Sequence, residues 1–445
     1  MKIGFVTLGC DKNTVDNEYV AGVLARRGHS VSLVNSGSER YDAVVITTCG
    51  FIEAASAQSM MEIDRWARRK REKGRPARLV VAGCLTQLRA EEILHAYPEV
   101  DGIGGVGNLE ALAELIEEVD PNSGEVVMSL QDQPDMHLPH HLPRRHLQHH
   151  PYAYLKIADG CDHECAFCSI PLIKGGYASV APDVLIEEAR ELIDNGVKEL
   201  NIIGQDISAY GRDGGGADLL KLLHQLCALN GDFWIRLLYL YPGGMTDALL
   251  ELIAREPRIC NYLDLPLQHV NTNLLRKMKR PAGQLAGIKF ISKIRSVLPE
   301  ATLRTTFIVG LPGETDEAFE EMLEAVRTIQ FDRLGAFIFS PQPGTAACTM
   351  SGQVDPELAQ QRFDRLMREQ QLIHFRKNQA RVGQSVRVLF EGRDQKKSAA
   401  IARSQSEAPE IDGYIYVKGV SPKQIGEFGE VKITRADGYD LWAEL

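Results

Sequence analysis

Short apolar runs rich in valine and isoleucine alternate with helical segments over most of this 445-residue sequence. In the first part the clearest runs are IGFVTL, DAVVITT and ARLVVAG, with segments such as DNEYVAGVLARRG between them. Strands that are apolar on both faces suit a parallel sheet covered by helices. The βαβα order therefore predicts an α/β domain with a doubly wound parallel sheet over residues 1–130.

A second alternating series runs from Tyr152 to about Pro341. Its strand-like runs are YAYLKIA, ELNIIGQ, FWIRLLYL, YLDLPLQ, TLRTTFIVG and GAFIFS. Six units are too few for an eight-fold barrel, so they predict an open partial (β/α)6 barrel with its active site at the carboxyl ends of the strands. With a polar helix from about Pro356 to Gln379, this core is assigned to residues 151–375.

The last segment, residues 376–445, changes character again. SVRVLFEG, GYIYVKG and GEVKITRADGYDLWAEL are short strands separated by turn residues, which predicts a small all-β barrel. Residues 131–150, between the first two domains, contain three prolines and six histidines. A histidine-rich tract can bind metal, but the irregular spacing and the prolines favour an exposed linker whose histidines are incidental.

The composition restricts the class of protein. An apolar fraction of 44% with 25% charged residues is that of a globular protein, and no apolar run approaches the roughly 20 residues that span a bilayer. The amino terminus, MKIGFVTLGC, resembles a first strand rather than a secretory leader. Nine cysteines, an odd number, favour a reducing compartment, so we expect a cytoplasmic protein without a membrane partner. The net charge of −10 argues against bulk attraction to nucleic acid.

The stretch GCDHECAFC contains Cys161, Cys165 and Cys168 in the spacing C-x3-C-x2-C. This spacing is typical of an iron–sulfur site, although cubane clusters usually take four thiolates. A zinc site is a poor alternative because no paired C-x2-C knuckle lies nearby. His163 lies inside the loop, where we expect it to be exposed to solvent rather than to bind metal.

Three further cysteines, Cys10, Cys49 and Cys84, each follow a predicted strand of the first domain and have a glycine neighbour. Strand ends of one parallel sheet share an edge, so the three thiols can converge in the crevice where such sheets bind ligands. A single cysteine at such a place is usually core filler. Three at equivalent positions predict a second cluster, again with three protein ligands.

A cubane held by three thiolates leaves one iron without a protein ligand, and open coordination positions distinguish reactive metal sites from structural ones. An electron-transfer ferredoxin would use four cysteines and no barrel. The C-x3-C-x2-C loop, with Phe167 before its last cysteine at the end of a first barrel strand, resembles the signature of the radical S-adenosylmethionine (SAM) enzymes. The whole chain is similar to the methylthiotransferases, which have a three-cysteine domain, a radical SAM barrel and a terminal TRAM barrel in this order.

The resemblance implies two 4Fe–4S clusters and SAM as cofactors, with no catalytic residues beyond the cluster ligands. Cys161, Cys165 and Cys168 would hold the cluster that cleaves SAM to a radical. Cys10, Cys49 and Cys84 would hold an auxiliary cluster whose open iron carries sulfur. One SAM would methylate that sulfur, and a second would yield the radical that removes hydrogen from the substrate carbon.

Several stretches resemble the RimO branch of the family, which modifies an aspartate β-carbon in ribosomal protein S-twelve (the twelfth protein of the small subunit). GCDKNTVDNE contains Lys12 and Asn13 after the first cysteine, and NIIGQDISAYGRD has Asp206 where the tRNA branch usually has Asn. The alternative is a tRNA adenosine methylthiotransferase of the MiaB type. The mixed charge of the TRAM-like tail favours a basic ribosomal protein over tRNA phosphates as the partner.

Two positions depart from the family pattern, because Lys174 and Val180 stand where arginines are usual. We expect SAM contacts at the carboxyl ends of the barrel strands. The candidates are Phe167, Gly204, Gln205, Arg236, Gln268, Arg304, Gly310 and Glu314. For each polar candidate the alternative is that its side chain makes a structural hydrogen bond within the barrel and does not bind SAM.

The family also implies an electron donor, flavodoxin-like or ferredoxin-like, and a sulfur donor that the sequence does not identify. A different class of function, a ribosome- or RNA-binding module with purely structural clusters, conflicts with two clusters that each lack a fourth ligand.

Overall fold

The computed structural model describes residues 1–34, 39–131, 142–214, 218–283 and 286–445 of the chain. Three parts follow one another: a parallel sheet with helices, a larger open barrel and a small closed barrel. Within these ranges no helix is both long enough and apolar enough to cross a membrane.

The first part is built on six strands, which are β1 (Lys2–Thr7), β2 (Ser30–Leu33), β3 (Ala43–Thr48), β4 (Arg78–Gly83), β5 (Gly102–Gly104) and β6 (Val127–Ser129). Its helices are α1 (Asp11–Arg26), α2 (Glu53–Lys73), α3 (Cys84–Ala96) and α4 (Leu109–Glu118). All strand pairs are parallel, and the order across the sheet is β2-β1-β3-β4-β5-β6. The strand order reverses between β1 and β3, and such a switch point opens a ligand crevice beyond the carboxyl ends of the strands.

Helices cover both faces of this sheet, which confirms the predicted doubly wound architecture. Val20, Leu24 and Ile116 of α1 and α4 pack on one face, and Ile63 and Trp66 of α2 pack on the other. The strands β2, β5 and β6 have three or four residues each, too few to show a periodic pattern in the sequence.

The second part contains the strands β7 (Tyr152–Lys156), β8 (Ala158–Asp159), β9 (Ala178–Ser179), β10 (Glu199–Ile203), β11 (Trp234–Leu237), β12 (Ile259–Asp264), β13 (Thr302–Val309) and β14 (Arg333–Ile338). Its helices are α5 (Ile170–Lys174), α6 (Pro182–Asp194), α7 (Leu219–Cys227), α8 (Asp247–Arg255), α9 (Thr272–Lys277), α10 (Ile288–Val297) and α11 (Asp316–Ile329). Six parallel strands in the order β14-β13-β12-β11-β10-β7 form the open barrel wall, and β8 and β9 form a separate hairpin-like pair. The predicted partial barrel is confirmed.

The helix α12 (Pro356–Ala380) joins the open barrel to the last part. Asp355 caps it by accepting hydrogen bonds from the N–H groups of Glu357 and Leu358, and Pro356 occupies its first turn. The last part is a closed barrel of the strands β15 (Ser385–Asp394), β16 (Ala399–Arg403), β17 (Ile415–Lys418), β18 (Phe428–Asp437) and β19 (Asp440–Glu444). It confirms the predicted small all-β barrel.

The closed barrel packs against the inner face of the open barrel. Strand residues alternate, so Ile235 packs under the helices while Trp234 and Arg236 face inward. The Arg236 Nε donates to Glu199 Oε1 at 2.7 Å, and Arg403 of the closed barrel donates to the same oxygen at 3.3 Å. These charged side chains are fully buried, so each depends on the others for compensation.

The second half of the expected linker differs from the prediction. Arg144 is not exposed: its side chain is 6% accessible, and it donates to Glu18 of α1 and to Glu188 of α6 at 2.6 Å each. His146 lies 3.3 Å from the same Glu18 carboxylate. This segment therefore ties the first domain to the open barrel, because one guanidinium can satisfy two carboxylates. The histidines at 137, 140 and 141 lie outside the described residues.

Candidate active site

The first cysteine triad forms at the carboxyl edge of the amino-terminal sheet. Cys10 precedes α1, Cys49 follows β3, and Cys84 begins α3 directly after β4. Gly9 has a φ of +94°, and a Cβ there would lie 2.8 Å from the Cys49 Cβ and 3.3 Å from its Sγ. A Cβ on Gly50 would likewise lie 3.3 Å from the backbone carbon of Cys84. The two glycines thus allow the three strand ends to approach closely.

Burial controls the chemistry of these thiols in the metal-free chain. It raises the pKa of Cys84 to about 12, and the neighbouring Cys10 and Cys49 add to this, while the Lys174 ammonium acts in the opposite direction. Burial also raises the pKa of Cys49. Cys84 lies at the amino end of a helix, where the helix dipole favours a thiolate. A bound cationic group is what would convert these thiols into thiolates.

The second triad lies in one loop beyond β8, at the carboxyl end of the open barrel. The N–H of Cys168 donates to the Cys165 carbonyl at 3.0 Å, which forms a tight turn within the loop. Burial raises the pKa of Cys161 to about 11 and that of Cys168 to about 12. The Arg280 Nη1 lies 3.7 Å from the Cys165 Sγ, so a cation already faces this site.

Both triads offer free thiols to a metal group. All six cysteines are free of disulfides. Among the described residues, no three His, Cys, Asp or Glu side chains converge on a point where one metal ion could bind. In a cubane each thiolate binds a different iron, so its ligands surround a group of atoms rather than one ion. Each triad supplies three thiols, the soft ligands that iron–sulfur clusters take, so the residues present fit such a cluster.

Two of the predicted SAM contacts present unpaired polar atoms at the strand ends. The Oε1 atoms of Gln205, after β10, and of Gln268, after β12, are buried without a hydrogen-bond partner among the described residues. Gln268 also has a φ of 69°, an unusual backbone conformation for a residue other than glycine. The hydroxyl of Ser169, beside Cys168, is a third such atom that sequence reasoning missed. Orphaned buried acceptors and donors at one edge suit a polar ligand.

Phe167 and Gly204 lie at the same end of the barrel. Phe167 is partly buried and packs in the apolar cluster that contains Leu311 and Ala347. Gly204 is buried, and a Cβ there would lie 3.4 Å from the Ala158 carbonyl oxygen, close to the start of the cysteine loop.

The other predicted contacts already have protein partners. Arg236 is not brought to the cysteine loop, because it pairs with Glu199 and donates to the Gln405 carbonyl at 2.7 Å. Arg304 donates to Asp264 at 2.8 Å and keeps 19% of its side chain exposed.

Gly310 and Glu314 bond to each other. Gly310, with a φ of +77°, donates its N–H to the Glu314 carboxylate at 3.0 Å. That carboxylate also accepts from Arg362 of α12 at 2.7 Å. The pair therefore anchors α12 to the end of β13.

His163 differs from its predicted exposure. Its ring stacks on Tyr241 with a centroid separation of 3.8 Å, and its Nε2 lies 2.7 Å from the Asp206 carboxylate. The Arg280 guanidinium covers the same Tyr241 ring at 4.3 Å. Asp206 lies three residues after the end of β10 and Tyr241 four residues after the end of β11, and this position is the signal that could have assigned them to the site.

A buried ionic network joins the two triads. Asp16 of α1 and Asp159 of β8 face Lys156 and Lys174, with Lys156 3.0 Å and Lys174 3.1 Å from the Asp159 Oδ2. Burial would raise the pKa of Asp159, but the two ammonium groups hold it below its ordinary value. Lys174 also acts on the Cys84 thiol. It ends the short helix that begins just after Cys168, so it lies between the two sites.

A three-thiol loop at the carboxyl end of the first strand of an open six-stranded barrel defines a radical SAM enzyme. Three family models match this chain. The model of the "Radical SAM superfamily" matches residues 155–326, that of the "TRAM domain" matches residues 382–445, and that of the "Uncharacterized protein family UPF0004" matches residues 2–105. A solved structure of similar fold is the radical SAM methyltransferase TsrM from Kitasatospora setae, with a TM-score of 0.57 at 13% identity, covering 78% of this chain and 77% of that one.

Relatives of known name match along the whole chain. Ribosomal protein uS12 methylthiotransferase RimO from Geotalea uraniireducens (strain Rf4) is 41% identical over 448 residues, covering 100% of this chain and 98% of the relative. The proteins of the same name from Desulforamulus reducens and Trichlorobacter lovleyi are 40% and 39% identical, with 100% of this chain and 99% and 98% of those proteins covered. The chain belongs to the RimO methylthiotransferase family, and SAM and 4Fe–4S clusters are the cofactors of this class.

Proposed function

We propose that this chain transfers a methylthio group to the β-carbon of an aspartate in ribosomal protein uS12. The observation that carries the proposal is the pair of three-thiol sites, held against each other by the Lys174 network, in a chain similar over its full length to RimO proteins. One three-thiol site would serve radical chemistry. A second one, linked to the first through the buried charges of Lys174, Asp16 and Asp159, would serve sulfur transfer.

Each triad has its own role in this proposal. Cys161, Cys165 and Cys168 hold the cluster that binds SAM, and Cys10, Cys49 and Cys84 hold the auxiliary cluster. When bound, the first cluster with SAM supplies a carbon-centred radical and the second supplies the sulfur that is transferred.

The surrounding protein residues bind and orient these groups. Gln205 and Gln268 offer their unpaired side-chain oxygens to the polar part of SAM, and Phe167 offers an apolar face. Arg280 offsets the negative charge of thiolates at Cys165, and Lys174 does so at Cys84.

The Arg144 and Lys174 contacts keep the two sites at a fixed separation. Arg144 binds one carboxylate from each domain, and Lys174 faces Asp16 of the first domain and Asp159 of the second. A substrate side chain placed between the sites can then contact both without a domain movement. Holding reacting groups in a fixed geometry lowers the entropic part of the activation barrier.

We further propose a cytoplasmic location, where thiols stay reduced, with a flavodoxin- or ferredoxin-like electron donor and a separate sulfur donor. Purified, cluster-reconstituted enzyme is incubated with SAM, a reductant and either uS12 or tRNA. Mass spectrometry of a uS12 peptide with a methylthio group on aspartate is the expected result. Methylthio groups on tRNA adenosine alone, with uS12 unchanged, would assign the chain to the MiaB type of activity instead.

A further inference from the structure

A buried lysine lies where the two domains meet. Lys12 is two residues after Cys10, and its side chain is only 7% exposed. Its Nζ lies 3.3 Å from the Asp11 Oδ1 and 3.2 Å from the centroid of the Tyr239 ring, which belongs to the open barrel. A charge removed from water needs compensation, and an aromatic face supplies part of it.

Tyr239 is held in a strained backbone conformation that places its ring against Lys12. Its φ is 61°, although it is not glycine. Its N–H donates to Asp264 at 3.0 Å, its carbonyl accepts from Ile207 at 3.2 Å, and its hydroxyl donates to Asp11 at 3.0 Å. Strain of this kind persists only where surrounding contacts impose it, and it concentrates at functional sites.

Lys12 differs from the other cations near it. Lys156 and Lys174 each lie close to both Asp16 and Asp159, and Arg304 pairs with Asp264. Among the residues that the structure describes, Lys12 pairs with one carboxylate, that of Asp11. The same Asp11 oxygen also accepts from the Lys12 backbone N–H and from the Tyr239 hydroxyl. An ammonium has three donors, so this carboxylate leaves capacity for another anion.

Lys12 is buried, but two of its neighbours reach solvent. Cys10 and Tyr239, which border it, are each partly exposed. The Cys10 thiol lies within electrostatic reach of both the Lys12 ammonium and the Tyr239 hydroxyl. Arg280, which also lacks a carboxylate partner among the described contacts, lies instead beside Cys165 of the other triad.

We propose that the Lys12 ammonium, supported by the Tyr239 ring, binds the side-chain carboxylate of the substrate aspartate. The inference rests on the proposed function. The β-carbon that receives sulfur is bonded to this carboxylate, so the carboxylate must lie close to the triad of Cys10. A buried cation then selects aspartate over its uncharged isostere asparagine, because asparagine cannot replace the charge-assisted bond.

The first test changes only the substrate. Binding of uS12 and of uS12 with the modified aspartate replaced by asparagine is measured by calorimetry on reconstituted wild-type enzyme without reductant. We expect the aspartate form to bind on the order of 10-fold to 100-fold more tightly. Equal affinity for the two forms overturns the proposal without any enzyme variant.

The second test uses Lys12→Met, with Lys73→Met as the matched control on an exposed lysine of the same domain. Iron content and SAM cleavage without substrate confirm that the clusters are in place. We expect K12M to lose the preference for aspartate and K73M to keep it. A K12M enzyme that still discriminates as wild type does refutes the role of Lys12. Wild-type enzyme that leaves uS12 unmodified and acts on tRNA refutes the proposed function itself, a separate result.

Discussion

The two cysteine triads each provide three thiols, but they differ in how the chain brings the thiols together. Cys161, Cys165 and Cys168 lie within one loop, so their proximity is set by local chain geometry. Cys10, Cys49 and Cys84 lie on three strand ends, so only the strand order β1-β3-β4 brings them together. Arg280 faces the local triad, and Lys174 and Lys12 act on the dispersed one. A local site can therefore form with its loop, whereas the dispersed site requires a complete sheet.

The largest expected effect is the loss of all chemistry when the local triad is broken. In Cys168→Ala the SAM-binding cluster loses one of three ligands, so both 5′-deoxyadenosine formation and methylthio transfer should become undetectable, with about half of the iron lost. Chromatography of SAM products and an iron assay measure this. Cys227→Ala, which changes a cysteine outside both triads, serves as the control. Full SAM cleavage by C168A would show that the loop is not the SAM site.

Breaking the dispersed triad should separate the two activities. Cys84→Ala removes a ligand of the auxiliary cluster but leaves the barrel loop intact. We expect SAM cleavage to remain within about 3-fold of wild type while methylthio transfer to uS12 disappears. Both products are measured in the same reaction. Loss of SAM cleavage to the level of C168A would contradict separate roles for the triads.

The buried network between the triads should contribute to stability. Lys174→Met leaves Asp159 and Asp16 with Lys156 as their remaining cation, and an undercompensated buried carboxylate costs about 3 kcal/mol. Urea unfolding of the metal-free chain measures the free energy of unfolding. The matched control is the exposed Lys73→Met, for which no change is expected. Equal stability of the two variants would mean that Lys156 alone compensates both carboxylates.

The substitution Gln205→Leu tests whether the site of the local triad binds SAM through this side chain. This change puts an apolar side chain of similar size there and removes the amide with its unpaired buried oxygen. If that oxygen accepts a hydrogen bond from SAM, the Kd for SAM should rise about 10-fold. Equilibrium dialysis with reconstituted enzyme gives the Kd, and Gln384→Leu on the exposed surface is the control. A tighter or unchanged Kd would assign this glutamine to the barrel instead.

The smallest expected effect is a pH dependence of the free energy of unfolding, caused by buried thiols. The pKa of Cys84 is about 12 in the metal-free fold against an ordinary value of 9.0, so the folded chain keeps a proton that the unfolded chain releases. Stability should therefore fall as the pH rises above about 9, by about 1 kcal/mol per pH unit for each such thiol. Urea unfolding at several pH values shows the slope, and Cys84→Ala should reduce it. An unchanged slope would mean that this thiol does not titrate with unfolding.

The sequence was sufficient to predict the three architectures, and the assignment of the six cysteines as cluster ligands stays a prediction. The strands β1, β3 and β4 are long and apolar, and the two cysteine patterns depend on spacing or on position after a strand. Because spacing and position are visible in the sequence, the iron–sulfur chemistry of the cysteines could be predicted from it.

Contacts between distant segments were not predictable. Arg236 comes from a strand expected to point at SAM, but alternation turns it toward Arg403 of the terminal barrel, 167 positions later in the sequence. His163 was expected in solvent because nothing local shows that Tyr241 stacks on it. Arg144 looked like part of a linker because its two carboxylate partners lie in different domains. Ion pairs between distant segments leave no periodic pattern in the sequence, so they cannot be predicted from it.

The shared carboxylate at Glu199 has a consequence for the evolution and engineering of such enzymes. Arg403 of the closed barrel and Arg236 of the open barrel both bond to it in a fully buried setting. The terminal barrel is therefore not an exchangeable attachment. A graft from another protein would need its own arginine at this point, and a chain shortened before β15 would expose a charged interior. Recombination between relatives should preserve these two barrels as one inherited unit.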